Sequence, residues 1–249
     1  MIDEHTLAFI REHTGDDVRQ LALQAARYPL VDMRVAATQI EGRRLAAAKL
    51  PAWAATDGVM YPVRLSMEQC SSEATARYKA SLVGGSRLAD LTGGYGIDFS
   101  YMASLFATSV YVERNAELCR IAEHNFSLLK LAGSSVVCAD STEFLYQRIA
   151  PCNLIYLDPA RRDGVGRKTV AIADCTPDVV QLQDRLMEVG RYVMVKLSPM
   201  LDISAALSVL RQVSEVHVVS VKGECKELLF VLDRLYEGKP VYYAVNLGL

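Results

Sequence analysis

No apolar run in the 249-residue sequence approaches the length needed to span a bilayer. The first residues, Met1-Ile-Asp-Glu-His5, are acidic and lack the apolar core of a secretory signal. Six cysteines (Cys70, Cys119, Cys138, Cys152, Cys175 and Cys225) are scattered, with no C-x-x-C pair, and the four histidines form no cluster. No metal is expected, and the thiols read as reduced groups of a cytoplasmic protein. No internal repeat or low-complexity run is visible. A net charge of −2 and a pI near 6.1 give no global sign of nucleic-acid binding. Any such role must rest on local patches.

What is present is core-forming material. Half of the residues (51%) are hydrophobic, and the length suits one α/β domain with a small additional element. Residues 1–62 read as an N-terminal helical region. Asp3, Asp16 and Asp32 are candidate caps, with Leu7, Ile10, Val18 and Leu21 at helical spacing. Pro51 is expected to stop the last of these helices. Between Arg27 and Lys49, five cations face two acids. That excess suits a nucleic-acid face, although a solvated helical face is the commoner origin of such a run. Ser66 to Lys79 reads as a helix leading into the first strand, with Gln69, Ser71 and Ser72 within possible reach of a ligand. From residue 63 to 249, strands alternate with helices. That rhythm predicts a Rossmann-like, mainly parallel seven-stranded sheet with helices on both faces.

The organising stretch is Leu88-Ala-Asp-Leu-Thr-Gly-Gly-Tyr-Gly-Ile-Asp98, followed by Val110-Tyr-Val-Glu-Arg-Asn115. It reads as a strand, a glycine turn, a helix and a second strand closing on Glu113. Such a unit holds a nucleoside at the carboxyl ends of parallel strands, with the acid accepting from ribose hydroxyls. A dinucleotide site would want G-x-G-x-x-G, but here Phe99 stands at the third glycine position. The acid that opens the turn, Asp90, suits a ligand with a cationic amino-acid end, as in S-adenosylmethionine (SAM). The candidate cofactor residues are Asp90, Thr92, Gly93, Gly94, Gly96, Ile97, Asp98, Glu113 and Arg114. Asp140 and Ser141, at the end of the third strand, fit either the adenine amine or a helix cap.

Asp158-Pro159 ends the fourth strand. An exocyclic amine is a poor nucleophile because its lone pair is delocalised into the ring. A carboxylate and an adjacent main-chain carbonyl, both accepting from the NH2 group, align its nitrogen for attack, and proline fixes the backbone between them. Asp158 and Pro159 are therefore the candidate catalytic pair. The loop from Arg161 to Lys168 carries four cations and one acid and suits an RNA backbone as well as a solvated surface. Arg161, Arg162, Lys196 and Ser198 are the candidate substrate contacts.

These motifs resemble class I SAM-dependent methyltransferases. The loop has the form D-x-T-x-G-x-G-x-D, followed by Glu113-Arg-Asn115, Ala139-Asp-Ser141 and Tyr156-Leu-Asp-Pro159. Within that class it is similar to RNA N-methyltransferases, especially those that modify guanine N2 in ribosomal RNA. Leu65-Ser-Met-Glu-Gln-Cys-Ser-Ser-Glu73 and Lys196-Leu-Ser-Pro-Met-Leu-Asp202 resemble bacterial methyltransferases that carry a THUMP-like RNA-binding domain after the catalytic one. The resemblance implies SAM as cofactor, ribosomal or transfer RNA as partner, and a chain that lacks a C-terminal RNA-binding domain. It departs from the D-P-P-Y pattern, in which a second proline and a base-stacking aromatic follow; Ala160 and Arg161 stand there instead. RNA uracil-C5 methyltransferases share an arginine after Asp-Pro, but use a C-x-P cysteine where this chain has Ser198-Pro199. That argues against C5 methylation. A protein or small-molecule methyltransferase, and a non-catalytic RNA-binding module on the same fold, are the alternatives. The sequence leaves oligomeric state open.

Overall fold

The computed structural model describes residues 2–147, 149–161 and 172–248. Helices α1 (Glu4–Glu12), α2 (Val18–Leu23) and α3 (Met33–Lys49) are capped by Asp3, Asp17 and Asp32, whose carboxylates accept first-turn N–H groups. Asp17, not Asp16, takes the second cap, because the Asp16 carboxylate is engaged by His13 Nδ1 at 2.6 Å. Pro51 does more than stop α3: it opens α4 (Pro51–Ala54), where its missing N–H leaves nothing unsatisfied. Helices α5 (Arg64–Gln69) and α6 (Glu73–Ser81) then lead into β1 (Gly85–Asp90).

The chain continues through α7 (Ile97–Ala103), β2 (Phe106–Glu113), α8 (Ala116–Leu128), β3 (Ser134–Cys138), α9 (Ser141–Gln147) and β4 (Cys152–Leu157). Two short strands, β5 (Ala160–Arg161) and β6 (Cys175–Thr176), pair antiparallel apart from the main sheet. The last elements are α10 (Val179–Val189), β7 (Gly190–Leu197), α11 (Ile203–Val209), β8 (Val213–Val221), β9 (Glu224–Asp233) and β10 (Val241–Leu247).

The expected Rossmann-like sheet is present with eight strands rather than seven, in the order β10-β8-β9-β7-β4-β1-β2-β3. The additional strand is β10, parallel to β8 at the edge. Its residues are mostly exposed, so it lacks the buried pattern that marks an interior strand. Only β9 runs against its neighbours, β7 and β8.

Strand parity places the helices. Leu88, Tyr111, Leu154, Tyr156 and Met194 pack with α7 and α8 residues such as Phe99, Met102 and Phe126. Their neighbours in sequence, Ala89, Val112, Ile155, Leu157 and Val195, join Leu145, Leu182, Leu186 and Ala206 on the other face. A period of two therefore divides the helices between the two faces. Trp53, Tyr61 and Met67 pack outside α8 against Tyr95, Ile97 and Ile121, so the connector after α4 buttresses the glycine turn. Tyr95 donates to Met60 O at 3.0 Å, and Asn125 exchanges two bonds with the Met60 backbone.

β1 borders β2 on one side and β4 on the other, so the strand order reverses at β1. At the amino ends of β1 and β4, Asn153 Oδ1 accepts from Ser86 N (2.8 Å), Ser86 Oγ (2.6 Å) and Arg87 N (2.9 Å). At their carboxyl ends lies the crevice where open α/β sheets bind ligands. Among the described residues, no helix is long and apolar enough to cross a membrane.

Candidate active site

The turn after β1 is shaped by contacts that exclude side chains. A Cβ on Gly93 would lie 2.2 Å from the Tyr111 ring, and one on Gly96 would lie 2.7 Å from Phe126. Gly94 and Gly96 also hold φ of +57° and +84°, which L-residues disfavour. At Gly94 a Cβ would meet only Thr92 O, at 3.7 Å, so this part of the turn leaves room for a ligand.

Two acids bracket the turn. Asp90 is buried, and its Oδ1 accepts from Thr92 N at 2.9 Å. Glu113 Oε2 accepts from Gly94 N at 2.9 Å and Oε1 from Asn115 N at 2.8 Å. Each Glu113 oxygen retains acceptor capacity for a ligand hydroxyl. Burial pushes the Asp90 carboxyl well above the usual carboxylate range. The Thr92 N–H opposes that shift, while the charges of Asp98, Asp158 and Glu113 add to it. A cation placed here would relieve both desolvation and repulsion. This set of acids thus fits a ligand that carries ammonium and sulfonium groups, as SAM does.

The fourth strand delivers its acid to the same place. Leu91 N donates to Tyr156 O at 3.0 Å, and Asp158 N donates to Thr92 Oγ1 at 2.6 Å. Lys196, at the end of β7, donates to Asp158 Oδ2 at 2.6 Å. Burial alone would lower the Lys196 pKa, but Asp158, Asp98 and Glu227 outweigh it and the net shift is upward. Pro159, the next residue, is buried.

Beneath these residues runs an enclosed polar network. Lys79 Nζ lies 2.6 Å from Glu227 Oε1, 3.2 Å from Asp98 Oδ1 and 3.2 Å from Ser71 Oγ. Asp98 Oδ2 accepts from Ser71 Oγ and from Tyr156 OH, both at 2.7 Å. Burial raises the Asp98 pKa, but Lys79, Lys196 and these bonds bring it below the usual value.

The structure brings Asp90, Thr92, Gly94, Glu113, Asp158 and Lys196 together through direct hydrogen bonds. It commits the Asp98 side chain to the network beneath the turn and the Ile97 side chain to the core beside Trp53. Arg114 is exposed at the rim. Asp140 Oδ1 accepts from Thr142 N (2.8 Å) and Glu143 N (3.1 Å), capping α9, which Ser141 begins. Ser198 is half-buried past β7, and its Oγ accepts from Met200 N at 3.3 Å. The Arg161 backbone lies in β5, whereas Arg162 and the rest of the loop to Lys168 lie outside the described residues. Sequence reasoning missed Lys79 and Glu227. The available signal is phase: Lys79 shares the inner face of α6 with Thr75, Ala76 and Ala80, where an unpaired lysine is not tolerated.

This chain superposes on the crystal structure of a candidate methyltransferase from Porphyromonas gingivalis W83 with a TM-score of 0.82 and 33% sequence identity. The match covers 100% of this chain and 64% of that one. The fold is that of the class I methyltransferases. A candidate class I SAM-dependent methyltransferase from Listeria monocytogenes matches with a TM-score of 0.54 and 11% identity over 75% of this chain and 68% of that one, a likeness of fold alone. No protein-family model and no curated protein matches the chain.

Proposed function

We propose that this protein is a SAM-dependent methyltransferase that acts on an exocyclic amine of ribosomal or transfer RNA, with guanine N2 the favoured acceptor. The observation that carries the reading is the tie between Asp158 and Thr92, which sets the β4 acid against the ligand-binding turn. Thr92, Gly93, Gly94, Gly96, Ile97 and Asp98 shape the methionine end of the cofactor site with Asp90. Glu113 and Arg114 form its ribose side, and Asp140 with Ser141 its adenine side. Bound SAM supplies an activated methyl group.

Asp158 and the Pro159 carbonyl accept from the acceptor NH2 group and aim its lone pair at the methyl carbon. SAM held by Asp90, the glycine turn and Glu113 would supply that methyl carbon and keep the electron pair of its carbon–sulfur bond as a neutral sulfide. The nitrogen becomes cationic, is stabilised by Asp158, and releases one proton through it to solvent. Arg161, Arg162 and Ser198 contact the RNA on this reading. The excess positive charge of the Arg161 to Lys168 loop supports an RNA partner over a protein.

The test is transfer of labelled methyl from SAM to total RNA from cells lacking this protein, comparing wild type with Asp158→Asn and digesting the RNA to nucleosides. Labelled N2-methylguanosine that disappears in the variant is expected. A different methylated nucleoside would overturn the guanine assignment. Absence of RNA label with SAM still bound would move the acceptor to protein or a small molecule. Failure to bind SAM would leave a non-catalytic RNA-binding module.

A further inference from the structure

We propose that Lys196 is a positioning residue of the acceptor site: it fixes the Asp158 side chain by occupying one oxygen and leaves the other for the acceptor amine. This rests on the methyltransferase reading above and assigns Lys196 a role other than direct contact with substrate.

The geometry carries the assignment. Lys196 Nζ lies 2.6 Å from Asp158 Oδ2, with the lysine side chain 12% exposed and the aspartate 36%. The lysine therefore approaches from the protein side while the carboxylate keeps a face toward solvent. Two strands fix the pair, because β4 and β7 are adjacent in register from Cys152–Gly190 to Leu157–Val195. An ammonium so enclosed makes a poor probe for a large polyanion, but a good clamp for a neighbouring acid.

The surrounding charges explain why a clamp is needed. Lys196 is influenced by Asp98 from α7 and Glu227 from β9, as well as by Asp158. Asp90 from β1 lies within the influence of Asp158, and the Cys70 thiol within that of Lys196. Glu227 in turn pairs with Lys79 from α6. Three carboxyl groups, Asp98, Asp158 and Glu227, thus share two lysine ammoniums. Without Lys196 they would share one. Asp158, the most exposed of the three, would then bind a proton more readily and lose the contact that fixes its orientation toward the amine.

The experiment follows the Asp158 carboxyl directly. Protein carrying 13C-labelled aspartate is titrated by NMR, with the Asp158 signal assigned by its loss in Asp158→Asn. In Lys196→Met, Asp158 should titrate at least about one pH unit higher than in wild type, a tenfold change in proton affinity. In Lys196→Arg, which keeps the charge, it should stay close to wild type. The acidic limb of the kcat profile should move with the titration, while the KM for RNA changes less than about twofold. An unmoved Asp158 titration in Lys196→Met would overturn the proposal. So would a raised RNA KM with an unmoved acidic limb, the signature of direct substrate contact. Should Lys196→Met not fold, Lys196→Gln replaces it in the same titration. The titration needs no substrate, so a wild type that methylates nothing would sink the proposed reaction and still leave the Lys196 result readable.

Discussion

Asp158 and Thr92 are joined across the point where the strand order reverses: the Asp158 backbone N–H donates to Thr92 Oγ1 at 2.6 Å. This one bond couples the glycine turn to the acid at the end of β4. Thr92→Val keeps the shape and removes the acceptor, leaving a partly buried N–H unpaired at a cost of about 1–2 kcal/mol. Turnover should fall about tenfold, as a barrier change of that size implies. Thr92→Ser should restore most of it. Steady-state kinetics with urea unfolding as control decides the matter, and an unimpaired Thr92→Val would refute the coupling.

Cofactor binding should release protons through Asp90. Its folded pKa is raised by burial, so its share of stability is complete below the unfolded carboxyl pKa and is lost as pH rises through the folded value. A bound cation favours the ionised form and so expels the proton that burial retains. Calorimetric titration with SAM in two buffers of different ionisation enthalpy should show that release, and affinity should rise with pH across the same window. Asp90→Asn should abolish the buffer dependence. Equal heats in both buffers for the wild type would contradict it.

Lys79 is fully enclosed, with Glu227 at 2.6 Å and Asp98 at 3.2 Å. Lys79→Met should destabilise the protein by about 3–5 kcal/mol, because it strands buried negative charge. Replacing both partners, Lys79→Met with Glu227→Leu, should recover more than half of that loss. Chemical denaturation of the two variants provides the comparison; a double variant no more stable than the single would show that the pair is not the cause.

Gly93 faces the Tyr111 ring at a distance that admits no further atom. Gly93→Ala should therefore cost about 1–3 kcal/mol through overpacking. Gly15→Ala, with nothing within 4 Å, should stay within about 0.5 kcal/mol of wild type. Thermal unfolding of both variants tests the contrast, and equal melting temperatures would remove the packing argument.

The strand ends proposed to carry the chemistry are legible in the sequence because each combines two local signals. A short apolar run marks the buried strand, and an acid or glycine marks where it leaves the core. That logic locates Asp90, Glu113, Asp140 and Asp158 without knowledge of the sheet. It does not reveal where a side chain turns once there. Asp98 carries the motif of a cofactor residue, yet its carboxylate is held by Lys79, Ser71 and Tyr156, partners 19 to 58 positions away. Lys79 and Glu227, separated by 148 positions, meet only when α6 is laid across β9. β10 reads as a strand, but its place beside β8 depends on a parallel pairing that no local pattern encodes.

The Asn153 clamp has a mechanical consequence. Asn153 precedes Asp158 by five residues along β4, so the clamp sits about 16 Å from the ends that carry the turn and the acid. Each strand behaves as the tine of a pair of tongs, gripped at the handle by three donors on one oxygen and meeting at the tip through Thr92 and Asp158. Alignment at the tip is thus inherited from the handle. Loosening Asn153 would misalign the jaws from the opposite end of the strands.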